Sequence, residues 1–248
     1  WKTSAANEFG RLAQGLGTRI PKDKSTDTIK FIRKDQVPKD RTRDVTYGSF
    51  SCDYKPNKEE KWRTRLTAGG DRINFPGDCG TPTADMTLFK ILLNSTISTK
   101  GARMMTIDLA NFYLNTPMPR HEFMRLKLAD IPEEIIKQYN LRAIATEDGF
   151  VYCEICKGMY GLPQSGIIAQ ELLEERLAKV GYRQSKIIPG LWTHDKRAIT
   201  FCLVVDDFAI KYTRKEDVEH LLSALKKDYT ATEDWDATKY LGLTIKWD

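Results

Sequence analysis

The chain has 248 residues, 41% of them hydrophobic and 29% charged, with a formal net charge of +5. That length accommodates one large domain or two modest subdomains with a real core, in the composition range of ordinary globular proteins. A helical membrane span is excluded, because no apolar run approaches the roughly 20 residues needed to cross a bilayer. Five cysteines, an odd number, point to a reducing compartment rather than a disulfide framework. The start, Trp1-Lys2-Thr3-Ser4, has no apolar signal region and the first methionine is Met86, so the chain is expected to be cut from a longer polypeptide.

Residues 1–45 show little periodicity and are expected to form an extended lead-in with short elements. From Ile20 to Arg65 there are 13 Lys or Arg against 8 Asp or Glu, interleaved with Tyr47, Phe50, Tyr54 and Trp62. Basic residues among aromatics suit a phosphate-bearing partner, although a solvated mixed-charge face has the same composition. Lys61 to Thr67 alternates and reads as a strand with Arg63 and Arg65 on one face, where two guanidiniums can clamp a triphosphate bidentately. Gly69-Gly70 breaks this strand, and Phe75 to Gly80 is loop. Thr83 is the expected N-cap of a helix from Ala84 to about Ile97, with Met86, Phe89, Ile91, Leu92 and Leu93 as its core face.

Met104 to Ile107 reads as an apolar strand terminating in Asp108, with Phe112 and Tyr113 soon after. Glu133 to Tyr139 is expected to be a short helix and Phe150 to Cys156 a strand. Cys153 and Cys156 form a Cys-x-x-Cys pair, but residues three apart on a strand point to opposite faces and cannot hold one ion together. His121, His194 and His220 are scattered and suggest no ligand cluster. Lys157 to Gly166 contains three glycines and a proline, a rigid loop that places Gln164 and Ser165 at a helix start. That helix is expected from about Ile167 to Val180, with Ile168, Leu172, Leu173 and Leu177 along one side.

In Phe201 to Tyr212, five apolar residues run into Asp206 and Asp207 before the apolar pattern resumes, which fits a hairpin with both carboxylates at its tip. Burying carboxylates is costly unless they are bonded, paired or metal-bound. With no basic residue nearer than Lys211, the pair reads either as a divalent-cation site or as a polar turn. A helix follows from about Lys215 to Lys227 with Val218, Leu221, Leu222 and Leu225 as its apolar stripe, and then a strand or hairpin from Lys239 to Trp247. The layout is α+β, with helices backing one face of a mostly antiparallel sheet.

Asp108 with Phe112-Tyr113, then Tyr160-Gly161-Leu162-Pro163-Gln164-Ser165-Gly166, then Val204-Val205-Asp206-Asp207 resemble, in order and spacing, motifs A, B and C of a reverse transcriptase. Tyr240-Leu241-Gly242-Leu243 resembles its primer-grip region. From about residue 45 onward, and most closely from Arg65-Leu66-Thr67 to Asp207, the chain is similar to the polymerase of copia-type LTR retrotransposons. Val204 departs from the Tyr that family members often carry there.

This resemblance implies a right-hand polymerase: a lead-in over 1–45, fingers over 46–80 and 116–163, palm over 81–115 and 164–248, and no room for an RNase H domain. It implies an RNA-directed DNA polymerase that adds dNTPs to a primer 3′-OH on an RNA or DNA template. Such an enzyme belongs to a Pol polyprotein with RNase H and integrase, works in cytoplasmic virus-like particles, enters the nucleus later, and needs no membrane. By the same resemblance Asp108, Asp206 and Asp207 would be catalytic and would bind two Mg²⁺ ions, or Mn²⁺, with the carbonyl of Leu109 as a further oxygen. Hard oxygen ligands without His or Cys favour those ions.

Tyr113, beside Phe112, would lie under the sugar and exclude a 2′-hydroxyl. Gln164 would contact the incoming nucleotide or the template, and Arg63 or Arg65 its phosphates, the local match admitting either. Lys227 would donate a proton to pyrophosphate, or is simply a solvated helix-end lysine. An RNA-dependent RNA polymerase shares the palm carboxylates, but the bulky Phe112-Tyr113 gate argues against ribonucleotides. A decayed, non-enzymatic nucleic-acid-binding remnant is opposed by the retention of all three carboxylates and the glycine loop.

Overall fold

The computed structural model describes residues 1–56 and 60–247; Lys58 and Glu59 of the basic stretch lie outside the described residues. In chain order the elements are α1 (Lys2–Leu12), β1 (Ile29–Ile32), β2 (Thr46–Tyr54), β3 (Trp62–Ala68), α2 (Met86–Ile97), β4 (Arg103–Ala110), β5 (Pro117–Lys127), α3 (Glu133–Gln138) and β6 (Phe150–Lys157). They continue with α4 (Ser165–Ala178), β7 (Tyr182–Gln184), β8 (Leu191–His194), β9 (Ile199–Val204), β10 (Asp207–Tyr212), α5 (Lys215–Leu225), β11 (Thr230–Asp234), β12 (Lys239–Tyr240) and β13 (Leu243–Thr244). The fold is α+β with largely antiparallel sheets. It divides into two compact units, Trp1–Cys79 with Tyr113–Ile168, and Gly80–Phe112 with Ala169–Asp248. Among the described residues no helix is long and apolar enough to cross a membrane.

The first unit holds a five-stranded sheet in the order β1-β6-β5-β2-β3, with β2 and β5 parallel and the other pairs antiparallel. Residues 1–45, expected as an extended lead-in with short elements, contribute α1 and β1 to this unit. Phe9 and Leu12 of α1 and Ile29 of β1 are fully buried in this unit's core. The face that α1 buries includes Ser4, Ala6, Glu8 and Gly10, too polar and small to register as hydrophobic periodicity. Those polar side chains satisfy an exposed sheet edge. The Thr64 N–H donates to the Ser4 hydroxyl at 2.7 Å, and the Leu66 N–H donates to a Glu8 carboxylate oxygen at 3.2 Å. Burial pushes the Glu8 carboxyl up from its ordinary value, opposed by the Leu66 N–H and by Arg11, Arg63 and Arg65.

The second unit holds an antiparallel sheet in the order β11-β4-β10-β9-β8-β7. Helices flank both of its faces rather than one. Leu88, Phe89 and Leu92 of α2 pack with Met104, Cys202 and Ala209, while His220 of α5 reaches Tyr182, whose ring lies on Phe201 of the opposite face. The reason is legible in β10, where Phe208, Ala209 and Ile210 are consecutive and all fully buried, so each side needs a cover.

Helix α2 is capped by Asp85, whose carboxylate accepts the Leu88 N–H at 2.7 Å. Thr83, the expected cap, instead directs its hydroxyl to the Leu203 carbonyl, and Ile91 of the expected core face is 60% exposed. His194 and His220 are not scattered: their rings stand 5.5 Å apart around Tyr182. Lys227 lies past the end of α5 and is exposed.

Truncating the Phe9 ring tests the position of α1. Phe9→Ala is expected to destabilise the chain by about 3–5 kcal/mol in urea denaturation; a shift within about 0.5 kcal/mol is what a solvated lead-in residue would give.

Candidate metal-ion active site

Strand β4 lies between β10 and β11, and Asp108 sits on it opposite Asp207 of β10 and Thr232 of β11. Directly opposed residues share a face of the sheet, with Cβ atoms about 4.5–5.5 Å apart, and like charges so placed destabilise the ladder. Asp108 lies within β4, which continues to Ala110, rather than at its end. Asp206 occupies the second position of a two-residue turn, since Val204 and Asp207 are themselves paired.

Val205, the first turn residue, has φ of +60°. Hairpin turns put glycine there because a β-branched residue in that region is strained, at a cost on the order of 1–3 kcal/mol. The surroundings hold the turn in place. The Leu109 N–H donates to the Asp206 main-chain carbonyl at 3.0 Å, and the buried Tyr240 hydroxyl donates to the Asp207 carbonyl at 3.4 Å. At Leu109 it is thus the amide, not the carbonyl, that the hairpin engages. Tyr240 in turn rests on Phe89 of α2, ring centroids 4.5 Å apart.

Asp108 is exposed, and Asp206 and Asp207 are partly buried. Burial first, then the charges of Asp206 and Asp108, push the Asp207 carboxyl up from 3.8 to about 6. Lys211 does not relieve this. Its ammonium donates to the Ser95 carbonyl, the Ser95 hydroxyl at 2.7 Å and the Thr99 hydroxyl at 2.8 Å, at the end of α2. Two carboxylates on neighbouring strands and a third in the adjoining turn form an all-oxygen, anionic donor set of the kind that suits Mg²⁺ or Mn²⁺. They are not gathered as closely as His121, Glu154 and Cys156, whose potential ligand atoms all lie within 4.8 Å of one another.

The other expected site residues divide between the units, the boundary falling between Phe112 and Tyr113. Phe112, in the second unit, is buried with its ring 5.8 Å from that of Tyr229, a core position. In the first unit Tyr113 meets the Tyr160 ring edge-on at 6.1 Å, and the Arg65 guanidinium lies over the same Tyr160 ring at 4.9 Å. Arg65 and Tyr113 therefore belong to one stack. Arg63 instead pairs across the ladder with Asp53, and the Nε of Arg65 is buried without a hydrogen-bond partner. Gly161, at φ +92°, lets the loop carrying Tyr160 touch β3: a Cβ there would stand 2.0 Å from the Ala68 carbonyl oxygen.

Gln164 is only 1% exposed, and its amide nitrogen donates to a Glu122 carboxylate oxygen at 3.0 Å. In this structure it faces the interior, and its own carbonyl oxygen is buried without a partner. Glu122, fully buried and ion-paired to Arg41 and Arg120, is raised from its ordinary value by burial against the pull of both arginines. No pattern in the sequence marked Glu122, because its hydrogen-bond partners Arg41 and Gln164 come from positions 81 residues before and 42 after it. The chain matches no protein-family model and no curated protein.

Because its carboxyl is raised, Asp207 binds its proton more tightly in the folded chain than in the unfolded one. Its contribution to stability is fully present below about pH 4 and is lost as pH rises through about 6. Asp207→Asn, neutral throughout, is expected to be more stable than the parent at pH 8 by on the order of 1 kcal/mol, solvent screening included, with a smaller difference at pH 4. Urea denaturation at the two pH values checks this, and equal differences would contradict the coupling.

Proposed function

We propose that the chain is the polymerase part of a copia-type reverse transcriptase, an RNA-directed DNA polymerase that joins dNTPs to a primer 3′-OH. The observation that carries this reading is the cross-strand pairing of Asp108 with Asp207, with Asp206 at the strained tip between β9 and β10. Opposed carboxylates beside a strained turn destabilise the ladder locally, a cost that a recruited cation offsets. In this reading the first unit corresponds to fingers and the second to palm. The partners are a primed template, dNTPs and the rest of a Pol polyprotein.

Asp108, Asp206 and Asp207 would hold two Mg²⁺ or Mn²⁺ ions. When bound, these would neutralise charge on the attacking and leaving oxygens of an in-line phosphoryl transfer. The chain's own residues position them. The Leu109 amide and Tyr240 hydroxyl hold the hairpin tip by its main-chain carbonyls. Tyr113, braced by Tyr160, presents a rigid ring for the deoxyribose, and the Arg65 guanidinium over the Tyr160 ring supplies a charge for the triphosphate. Arg65 is preferred over Arg63 because it shares this stack. Gln164 supports the loop from within through Glu122 rather than by direct contact with the nucleotide.

Incorporation of dTTP on oligo(dT)-primed poly(rA) with Mg²⁺ tests the proposal. Asp206→Asn is expected to lower incorporation by roughly 100-fold or more while retaining binding of the primed template. Incorporation equal in both proteins would overturn the assignment, and so would the absence of incorporation from the parent chain.

The adjacent aromatics should separate cleanly. Tyr113→Ala is expected to raise the use of ribonucleotides relative to deoxynucleotides at least about tenfold at little cost in stability. Phe112→Ala is expected to destabilise the fold by about 3–5 kcal/mol. Steady-state discrimination and urea denaturation of the two variants check the pair.

A further inference from the structure

The geometry points to a second metal site, in the first unit and independent of the polymerase reading, for a borderline transition ion such as Zn²⁺ held by His121, Glu154 and Cys156. The potential ligand atoms of these three residues lie within 4.8 Å of one another. They reach that arrangement through the architecture of two adjacent strands. Glu154 and Cys156 are two apart on β6 and so project from the same face of the sheet. His121 comes from β5, where the register jumps between Pro117↔Lys157 and Glu122↔Ile155. His121 directly precedes the Glu122↔Ile155 pair, so the regular register beyond the irregularity sets it next to Cys156, on the face that Glu154 and Cys156 share. His121 Nδ1 lies 2.8 Å from a Glu154 carboxylate oxygen.

Three features distinguish this cluster from an ordinary surface pair. The first is the donor set: one nitrogen, one oxygen and one sulfur are the ligands that zinc accepts together, and that Mg²⁺ does not select. The second is charge: a thiolate and a carboxylate neutralise a divalent ion in a site that burial partly shields, Cys156 being 9% exposed.

The third is reach. Zn–N of about 2.0–2.1 Å, Zn–O of about 2.0–2.2 Å and Zn–S of about 2.3 Å imply tetrahedral ligand-to-ligand edges of roughly 3.3–3.6 Å. The His121–Glu154 contact needs to open by only about half an ångström, and both side chains have solvent-exposed surface that permits it. Three protein ligands leave a fourth position for solvent. Lys30, opposite Glu154 on β1, is the cation across the ladder that the bound ion must tolerate.

The Cys-x-x-Cys spacing is a decoy. Cys153 is fully buried on the other face of β6, and the partners of Cys156 are two residues back and across the sheet.

The test is titration of the whole chain, under reducing conditions, with Zn²⁺ by calorimetry and with Co²⁺ by absorbance. One equivalent is expected to bind, with a thiolate-to-Co²⁺ charge-transfer band in the near ultraviolet. Cys156→Ser should abolish that band. His121→Ala and Glu154→Gln should each weaken Zn²⁺ binding by more than the roughly 10–100-fold that loss of an outer-shell partner causes. Cys153→Ser and the exposed Cys52→Ser should leave the band intact, as should Asp108→Asn, which separates this site from the carboxylate site. His121 is partly exposed, so His121→Ala remains informative if Cys156→Ser fails to fold, which circular dichroism reports. Sub-stoichiometric binding, a band that survives Cys156→Ser, or unchanged affinity in His121→Ala would overturn the site.

Discussion

Two carboxylates set directly across an antiparallel ladder repel, and most of the second unit can be read as what is required to hold Asp108 and Asp207 there. Met104, Met105 and Ile107 of β4 and Phe208, Ala209 and Ile210 of β10 are buried beside the pair, and their burial offsets the local repulsion. The turn that presents Asp206 runs through a valine in glycine's conformation and is restrained from two directions, by the Leu109 amide and by Tyr240. Tyr240 is itself seated on α2, so a helix far from Asp207 in sequence bears on its position. The raised carboxyl of Asp207 is the electrostatic signature of this arrangement.

The first unit uses polar groups differently, burying them against one another and against main-chain N–H groups. Ser4 and Glu8 of α1 accept the outward N–H groups of β3, the end strand of its sheet. Glu122 joins Arg41, Arg120 and Gln164 into one interior network, which couples the N-terminal segment to the start of α4. Such networks are costly to break from one side, because a lone buried charge is left behind. The stack of Arg65 on Tyr160 and Tyr160 against Tyr113 is the half-buried counterpart.

The parts that were legible in the sequence are those whose signal is local. The hairpin from Phe201 to Tyr212 announced itself by an apolar run broken by two aspartates, and β3, β6, α3 and α5 by their periodicity. Strands β2, β5 and β11 were not legible. Thr46–Tyr54 is exposed along most of its length, Pro117–Lys127 carries two prolines and five ionisable side chains, and Thr230–Asp234 has one apolar residue. Each is a strand because of the neighbour it pairs with. Helix α1 was hidden because the face it buries is polar, and Asp85 displaced Thr83 as a cap by a choice of two residues that composition does not decide. Among the candidate site residues the carboxylates were legible as a group. The inward turn of Gln164 and the meeting of His121 with Cys156 were not, since each depends on a partner more than 30 residues away.

Strand β1 pairs with β6, Ile29 lying against Ile155. About 125 residues separate the two, a synthesis interval of roughly ten seconds at ribosomal speed. For that time the emerging chain carries β1 without the strand that completes its ladder, while all of α2 and β4, which belong to the other unit, are made in between. The nascent polypeptide therefore cannot mature one unit before starting the next. Until residue 157 has left the exit tunnel, β1 stays without its ladder partner, the kind of open edge on which stray strands pair.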